Sequence, residues 1–263
     1  MTQLLNERIQ HALKTLKLEQ ILEELPMHIQ ASEERQLPLV ESLDTMLENE
    51  LIARTDRAMR TRMKQAGFPI IKTLESYNFD AQLSLDRRVI NELATLNFIE
   101  RKECIALLGP PGLGKTHIGI GLGVKAIQAG YRAYFVSAQD LLDQIRLSSF
   151  KGVPGHKQKH LSSIPLLIID ELGYVEFDQA SATWLFQLLT HRHEKYSTIL
   201  TSNKPFSDWG KIFVDVSMAG ALLDRFLHHC HVLTFKGESY RMRTRLQQGA
   251  KESRQSGGTP VGS

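Results

Sequence analysis

The tightest constraint on the fold of this chain is a loop poor in side chains that follows an apolar run. Cys104-Ile105-Ala106-Leu107-Leu108 leads into Gly109-Pro110-Pro111-Gly112-Leu113-Gly114-Lys115-Thr116. These eight loop residues satisfy G-x-x-x-x-G-K-[ST], and the segment "HIGIGLGVKAIQAG" after them reads as a helix. Backbone N–H groups converge on phosphate oxygens where side chains are missing, and a helix N-terminus adds a dipole of the right sign. The loop, with His117 just beyond it, is therefore the expected nucleotide-binding segment. Lys115 would reach the β- and γ-phosphates, and Thr116 would offer a hydroxyl to Mg²⁺.

A strand feeding such a loop needs parallel neighbours. Further short apolar runs predict strands at Ala133 to Val136, Leu166 to Ile169, Ser197 to Thr201 and Val232 to Phe235, with helical segments between consecutive members. That alternation predicts an α/β fold, a parallel five-stranded sheet covered by helices. "LLIIDE" should place Asp170 at the C-terminal end of a buried strand with Glu171 beside it, so that Asp170 holds Mg²⁺ and Glu171 orients or deprotonates a water. "TILTSNKP" ends the next strand in Ser202 and Asn203, whose amide is placed to sense a γ-phosphate. Arg225, on the amphipathic "GALLDRFLHHCHVLTF", is a candidate finger for a neighbouring subunit's phosphate, a role that requires an oligomer. The adjacent His228-His229-Cys230-His231 reads as packing, because four consecutive side chains diverge.

Upstream of the core the chain reads as all helical. Leu5, Ile9, Leu13 and Leu16 fall at helical spacing up to a break at Pro26, and a second helix runs from near Pro38 to Gly67. On that second helix Ile52, Met59, Met63 and Ala66 make one stripe, while Arg54, Arg57, Arg60 and Lys64 share another face. The formal charge of +3 argues for no polyanionic partner by itself. The clustered cations do, because several phosphate counterions can be displaced together. Basic residues recur at Lys151, Lys157 and Lys159, and at Lys236, Arg241, Arg243, Arg245 and Lys251, a dispersed pattern that suits contact with a DNA backbone better than base-specific readout.

The expected organisation is a helical domain for DNA binding and oligomerisation over 1–68, a linker over 69–83, an ATPase domain over 84–250 opening with a helix capped by Ser84, and a disordered tail over 251–263. No apolar run is long enough for a membrane span, and the N-terminus lacks a signal pattern, so a cytoplasmic location is expected. Cys104 and Cys230 show no metal-like spacing and are expected as free thiols.

Taken in order, "GPPGLGKTH", "LLIIDELGY", "TSNKPFSDW", "LLDRFLHHC" and "KGESYRMR" resemble the IstB family, AAA+ helper ATPases of insertion-sequence transposition related to the helicase loader DnaC. "MKQAGFPIIKTLESYNFD" is similar to that family's junction between helical domain and core. The resemblance implies ATP with Mg²⁺, homo-oligomeric assembly on double-stranded DNA, bending of that DNA, and recruitment and stimulation of a partner transposase. It implies the roles above for Lys115, Thr116, Asp170, Glu171 and Asn203, with Arg225 acting in trans, and little or no C-terminal lid. Leu113 departs from many members, where a small or polar residue is frequent, at a position whose backbone does the binding. The alternative reading is a DnaC-like loader of a replicative helicase. A small-molecule kinase would use the same loop, but the Asp170-Glu171 pair and Arg225 favour a hydrolase.

Overall fold

The computed structural model describes residues 2–35, 38–150, 154–211, 216–237 and 239. Lys151, Arg241, Arg243, Arg245, Lys251, the 251–263 tail and any lid after 240 lie outside the described residues. The chain divides into two compact units, Met1–Thr61 and Arg62–Ser263.

In the first unit, α1 spans Thr2–Thr15, α2 spans Glu19–Arg35, and α3, Leu39–Gln65, continues into the second unit. The expected break at Pro26 lies elsewhere, since Pro26 is inside α2. The chain turns at Lys17, with φ +56°. There the Leu18 N–H reaches the Leu13 carbonyl at 3.0 Å and the Lys17 N–H reaches that of Lys14 at 3.1 Å. This is a Schellman ending built without the glycine that normally advertises it. Glu50, only 3% exposed, accepts the Gln20 N–H at 2.8 Å and so satisfies an orphan donor in the first turn of α2. The buried positions of α3 are Ser42, Met46 and Glu50. Ile52, expected on the apolar stripe, is 61% exposed.

The second unit opens with turns over 69–83, then α4, Arg87–Leu93, and α5, Asn97–Glu100. One capped helix was expected here. Instead Asp86, not Ser84, caps α4 by accepting the Arg88 N–H at 2.8 Å, and Leu96 at φ +67° separates the two helices. The Ser84 hydroxyl accepts the Lys236 N–H at 2.9 Å, which ties the segment to the far end of the sheet.

The sheet follows. Strands β1 (Cys104–Leu108), β2 (Ala133–Ser137), β3 (Leu166–Leu172), β4 (Ser197–Ser202) and β5 (Cys230–Thr234) pair in parallel in the order β2-β3-β4-β1-β5. Between them run α6 (Lys115–Gln128), α7 (Ala138–Phe150), α8 (Pro154–Ser162), α9 (Gln179–Arg192) and α10 (Val216–His228), with a 3-10 turn at Phe206–Lys211. Alternate strand residues serve opposite faces. Leu107, Ile168 and Ile199 meet α6 at Gly119, while Ala106, Leu167, Ile169 and Leu200 join the core made with α7, α9 and α10. With both faces covered, the strands read as continuous apolar runs, which is why they are visible in the sequence.

Arg192, 1% exposed, braces the edge where the strands begin. Its guanidinium donates to the Leu161 carbonyl at 2.6 Å, the Ile164 carbonyl at 2.9 Å and the Thr198 hydroxyl at 2.9 Å. Burial lowers its pKa to about 10, so it stays charged at neutral pH. Cys104 and Cys230 are register partners on β1 and β5 and both are free. No described helix is long and apolar enough to cross a membrane.

Candidate nucleotide-binding site

The ends of β1, β3 and β4 open onto a cleft of about 900 Å³ whose lining includes Lys115, Thr116, Asp170, Glu171 and Asn203. β1 delivers the loop. Gly109 turns at φ +140°, and a Cβ there would collide with the Phe235 carbonyl. Gly114, at φ +89°, is the N-cap of α6 and carries no side chain to cap it, which leaves the first N–H groups of the helix for an anion. The Lys115 ammonium donates to the carbonyls of Gly109 at 2.6 Å and Pro110 at 2.7 Å. These bonds hold a 92% buried cation in the loop it would serve.

Thr116 meets both Asp170 oxygens at 3.0 Å, across from the loop to β3. Asp170 is 5% exposed and also accepts the Thr201 hydroxyl at 2.6 Å. Burial raises its pKa above the ordinary aspartate value, against the opposing pull of the Thr201 and Thr116 hydroxyls and the Lys115 charge. A divalent cation beside Asp170 would relieve that burial, and the hard oxygen donors of Thr116 and Asp170 suit Mg²⁺.

Glu171 leaves the strand that carries it. The β3–β4 register shifts between Ile169 and Leu172, Glu171 takes φ +62°, and its side chain is exposed in an otherwise buried strand. Its N–H is held by the Thr201 hydroxyl at 2.9 Å. The strained bulge is what puts a carboxylate beside Asp170 yet in contact with water. The Asn203 carboxamide oxygen is buried and has no hydrogen-bond partner among the described residues. An acceptor left so costs ~1–3 kcal/mol, and a donor in the cleft would satisfy it. The convergent N–H groups, the crowded Asp170 and the unmet Asn203 oxygen together fit a nucleoside triphosphate with Mg²⁺.

The expected linker contributes the opposite wall, which sequence reasoning missed. Tyr77 donates to the Leu113 carbonyl at 3.1 Å, and its ring lies edge-on to His117 at 5.1 Å. Burial pushes its phenol up to about 12, so it remains a donor. His117 Nε2 sits 2.9 Å from the Thr73 carbonyl and 3.1 Å from the Ser76 hydroxyl. Thr201, the hub that links Asp170 to Glu171, was also missed. Its only signal is its place two residues before Asn203.

Arg225 does not join this site within one chain. It is exposed on α10 and lines a small recess with Cys104, Arg192 and Thr198, where the strands begin rather than end. In the helical unit the basic residues expected to meet DNA already have acidic neighbours. Arg57 pairs with Glu50 at 2.8 Å, Arg60 with Asp56 at 3.0 Å, and Arg54 with Glu50 at 3.9 Å. Lys64, in the second unit, is exposed.

Residues 11–248 match the family described as IstB-like ATP binding protein. A Geobacillus stearothermophilus protein of insertion sequence IS5376, named for ATP binding, is 45% identical over 215 residues, 82% of this chain and 86% of its own length. A Pseudomonas aeruginosa protein of insertion sequence IS21, also named for ATP binding, is 42% identical over 237 residues, 90% of this chain and 89% of its own. Among solved structures, the DnaC helicase loader superposes with a TM-score of 0.50 at 19% identity, over 57% of this chain and 87% of its own. AMPPCP-bound DnaA from Aquifex aeolicus gives 0.52 at 19% identity, over 70% and 56%. These two share the fold, a P-loop AAA+ core. Since the family match runs through nearly the whole sequence and both bacterial relatives align over most of their length, the chain belongs to the family of IstB-like ATP binding proteins.

Proposed function

We propose that this protein is a cytoplasmic, ATP-hydrolysing regulator of DNA transposition that assembles as a homo-oligomer on duplex DNA, bends it, and recruits and stimulates a partner transposase. The observation that carries the reading is the convergence of Lys115, Thr116, Asp170 and Asn203 on one cleft, in a chain whose relatives are named as insertion-sequence proteins.

Bound ATP with Mg²⁺ supplies the phosphoanhydride to be cleaved and the cation that neutralises its charge. Lys115 and the N–H groups of the loop hold the phosphates. Thr116 and Asp170 hold the metal. Glu171, exposed on its bulge, accepts a proton from the attacking water, and the Asn203 oxygen takes that water's other hydrogen. Tyr77 and His117 fix the loop from the linker side. Arg225 of a second copy completes the site, so turnover is tied to assembly. Arg54, Arg57, Arg60 and Lys64 meet DNA phosphates. The exposed Arg60–Asp56 pair is worth at most ~1 kcal/mol and yields readily to a polyanion, whereas Arg54 and Arg57 would meet phosphates while still facing the buried Glu50.

Binding of the purified protein to random-sequence duplex and to single strands, with and without ATP and Mg²⁺, tests the reading. Cooperative duplex binding that needs ATP and is lost in Lys115→Ala is expected. Single-strand preference, or no binding until a helicase is added, would instead support a helicase loader.

A further inference from the structure

A second group of ligating side chains lies away from the cleft. Among the described residues, Glu194, His228 and His229 each place one ligand atom within 4.8 Å of the others. The reading of His228-His229-Cys230-His231 as packing holds only for its second half. Cys230 and His231 enter β5, where His231 pairs with Glu103 at 2.8 Å. His228 ends α10 and His229 lies in the turn before the strand, so their rings meet with centroids 4.3 Å apart. Glu194 comes from the turn after α9, where φ is +58°, and its Oε1 lies 3.9 Å from His229 Nε2.

We propose that Glu194, His228 and His229 form a binding site for a divalent transition metal, Zn²⁺ by its donor set. Two imidazole nitrogens and one carboxylate oxygen suit a borderline-soft cation, whereas Mg²⁺ and Ca²⁺ select oxygen alone. Three protein ligands leave a fourth position for water. The C-termini of α9, at Arg192, and of α10, at His228, are negative dipole ends that offset the buried Arg192 cation nearby.

The backbone beneath the ligands is anchored. The His229 carbonyl accepts the Cys104 N–H at 2.8 Å. The turn bearing Glu194 is closed by the Lys195 and Tyr196 N–H groups on the Arg192 carbonyl at 3.0 and 2.9 Å. Arg192 is itself fixed through its guanidinium. Metal–ligand bonds of about 2.0–2.2 Å put tetrahedral ligand atoms roughly 3.3–3.6 Å apart, a little closer than Glu194 Oε1 and His229 Nε2 now lie, and all three side chains are exposed. The site lies on α10 one turn past Arg225, at the edge where the strands begin, and is independent of the nucleotide reading.

The test is calorimetric titration of Zn²⁺ alone into the full-length protein in excess Mg²⁺, which fills oxygen-only sites. Glu194→Gln and His228→Ala/His229→Ala are titrated alongside, with melting curves to confirm folding. Saturable binding by the wild type, weakened at least about tenfold in both variants, is expected, together with a visible Co²⁺ absorption that the double variant lacks. Equal Zn²⁺ binding in all three proteins, or none in the wild type, would overturn the assignment.

Discussion

Asp170 sits under two opposing pressures, burial against ionisation and the Thr201 and Thr116 hydroxyls with the Lys115 charge in favour of it, and burial prevails. Its native pKa is raised, so the native state holds this proton more tightly than the unfolded chain does. That contribution to stability is full below the ordinary value near 3.8 and is lost as pH rises through the raised native value. Relative to acid the group is therefore a cost of folding as pH rises, tolerated for the cation it would hold. Asp170→Asn should raise Tm in metal-free buffer at neutral pH, by roughly 2–4 °C for each 1 kcal/mol removed, and the gain should vanish in acid where Asp170 is already neutral. Melting curves across pH check this, and the same variant should lose Mg²⁺-dependent ATP turnover. Glu171→Gln separates the neighbouring carboxylate, which faces water. It should keep nucleotide affinity within about threefold while turnover falls at least a hundredfold, by roughly the contribution of a general base. Wild-type turnover in that variant would remove Glu171 from the mechanism.

At the scale of elements, the site depends on a wall that carries no familiar motif. A Cβ at Gly114 would lie 2.5 Å from Tyr77 Cε2, at φ +89°. Gly114→Ala should therefore destabilise the protein by ~1–3 kcal/mol through backbone strain and collision, and weaken nucleotide binding. Adding Tyr77→Ala should restore the collision part only. A double-mutant cycle on Tm separates the two contributions, and full additivity would mean that Tyr77 does not press on the loop. This wall shows why some of the site was legible and some was not. The loop, Asp170 and Asn203 stood out because strands covered on both faces are continuous apolar runs, and polar residues at their ends are conspicuous. Tyr77 and Thr201 act through long-range contacts that leave no periodic trace. The same holds for Glu50, which binds the start of α2 and Arg57 at once, and for the turns at Lys17 and Leu96, which use no glycine. Nor does a run such as His228-His229-Cys230-His231 reveal where a helix ends and a strand begins, and that boundary decides which side chains converge.

At the scale of the whole molecule, one geometrical fact sets the terms. Lys115 lies where β1 ends, and Arg225 borders the recess where β1 and β4 begin, so a single chain cannot bring its own Arg225 to its own cleft. If Arg225 acts as a finger it acts on a neighbour, and hydrolysis then reports assembly. Arg225→Ala should lower turnover by roughly a thousandfold while leaving nucleotide binding by the isolated chain unchanged. Lys115→Ala should be inactive for a different reason. When the two variants are mixed equally and co-assemble at random, roughly a quarter of the junctions unite an intact Lys115 cleft with an intact Arg225, and activity should return in proportion. Recovery that rises as the product of the two fractions identifies a head-to-tail junction. Co-assembly without recovery, or full turnover in Arg225→Ala alone, would place the last residue of the site elsewhere and leave each cleft complete within its own chain.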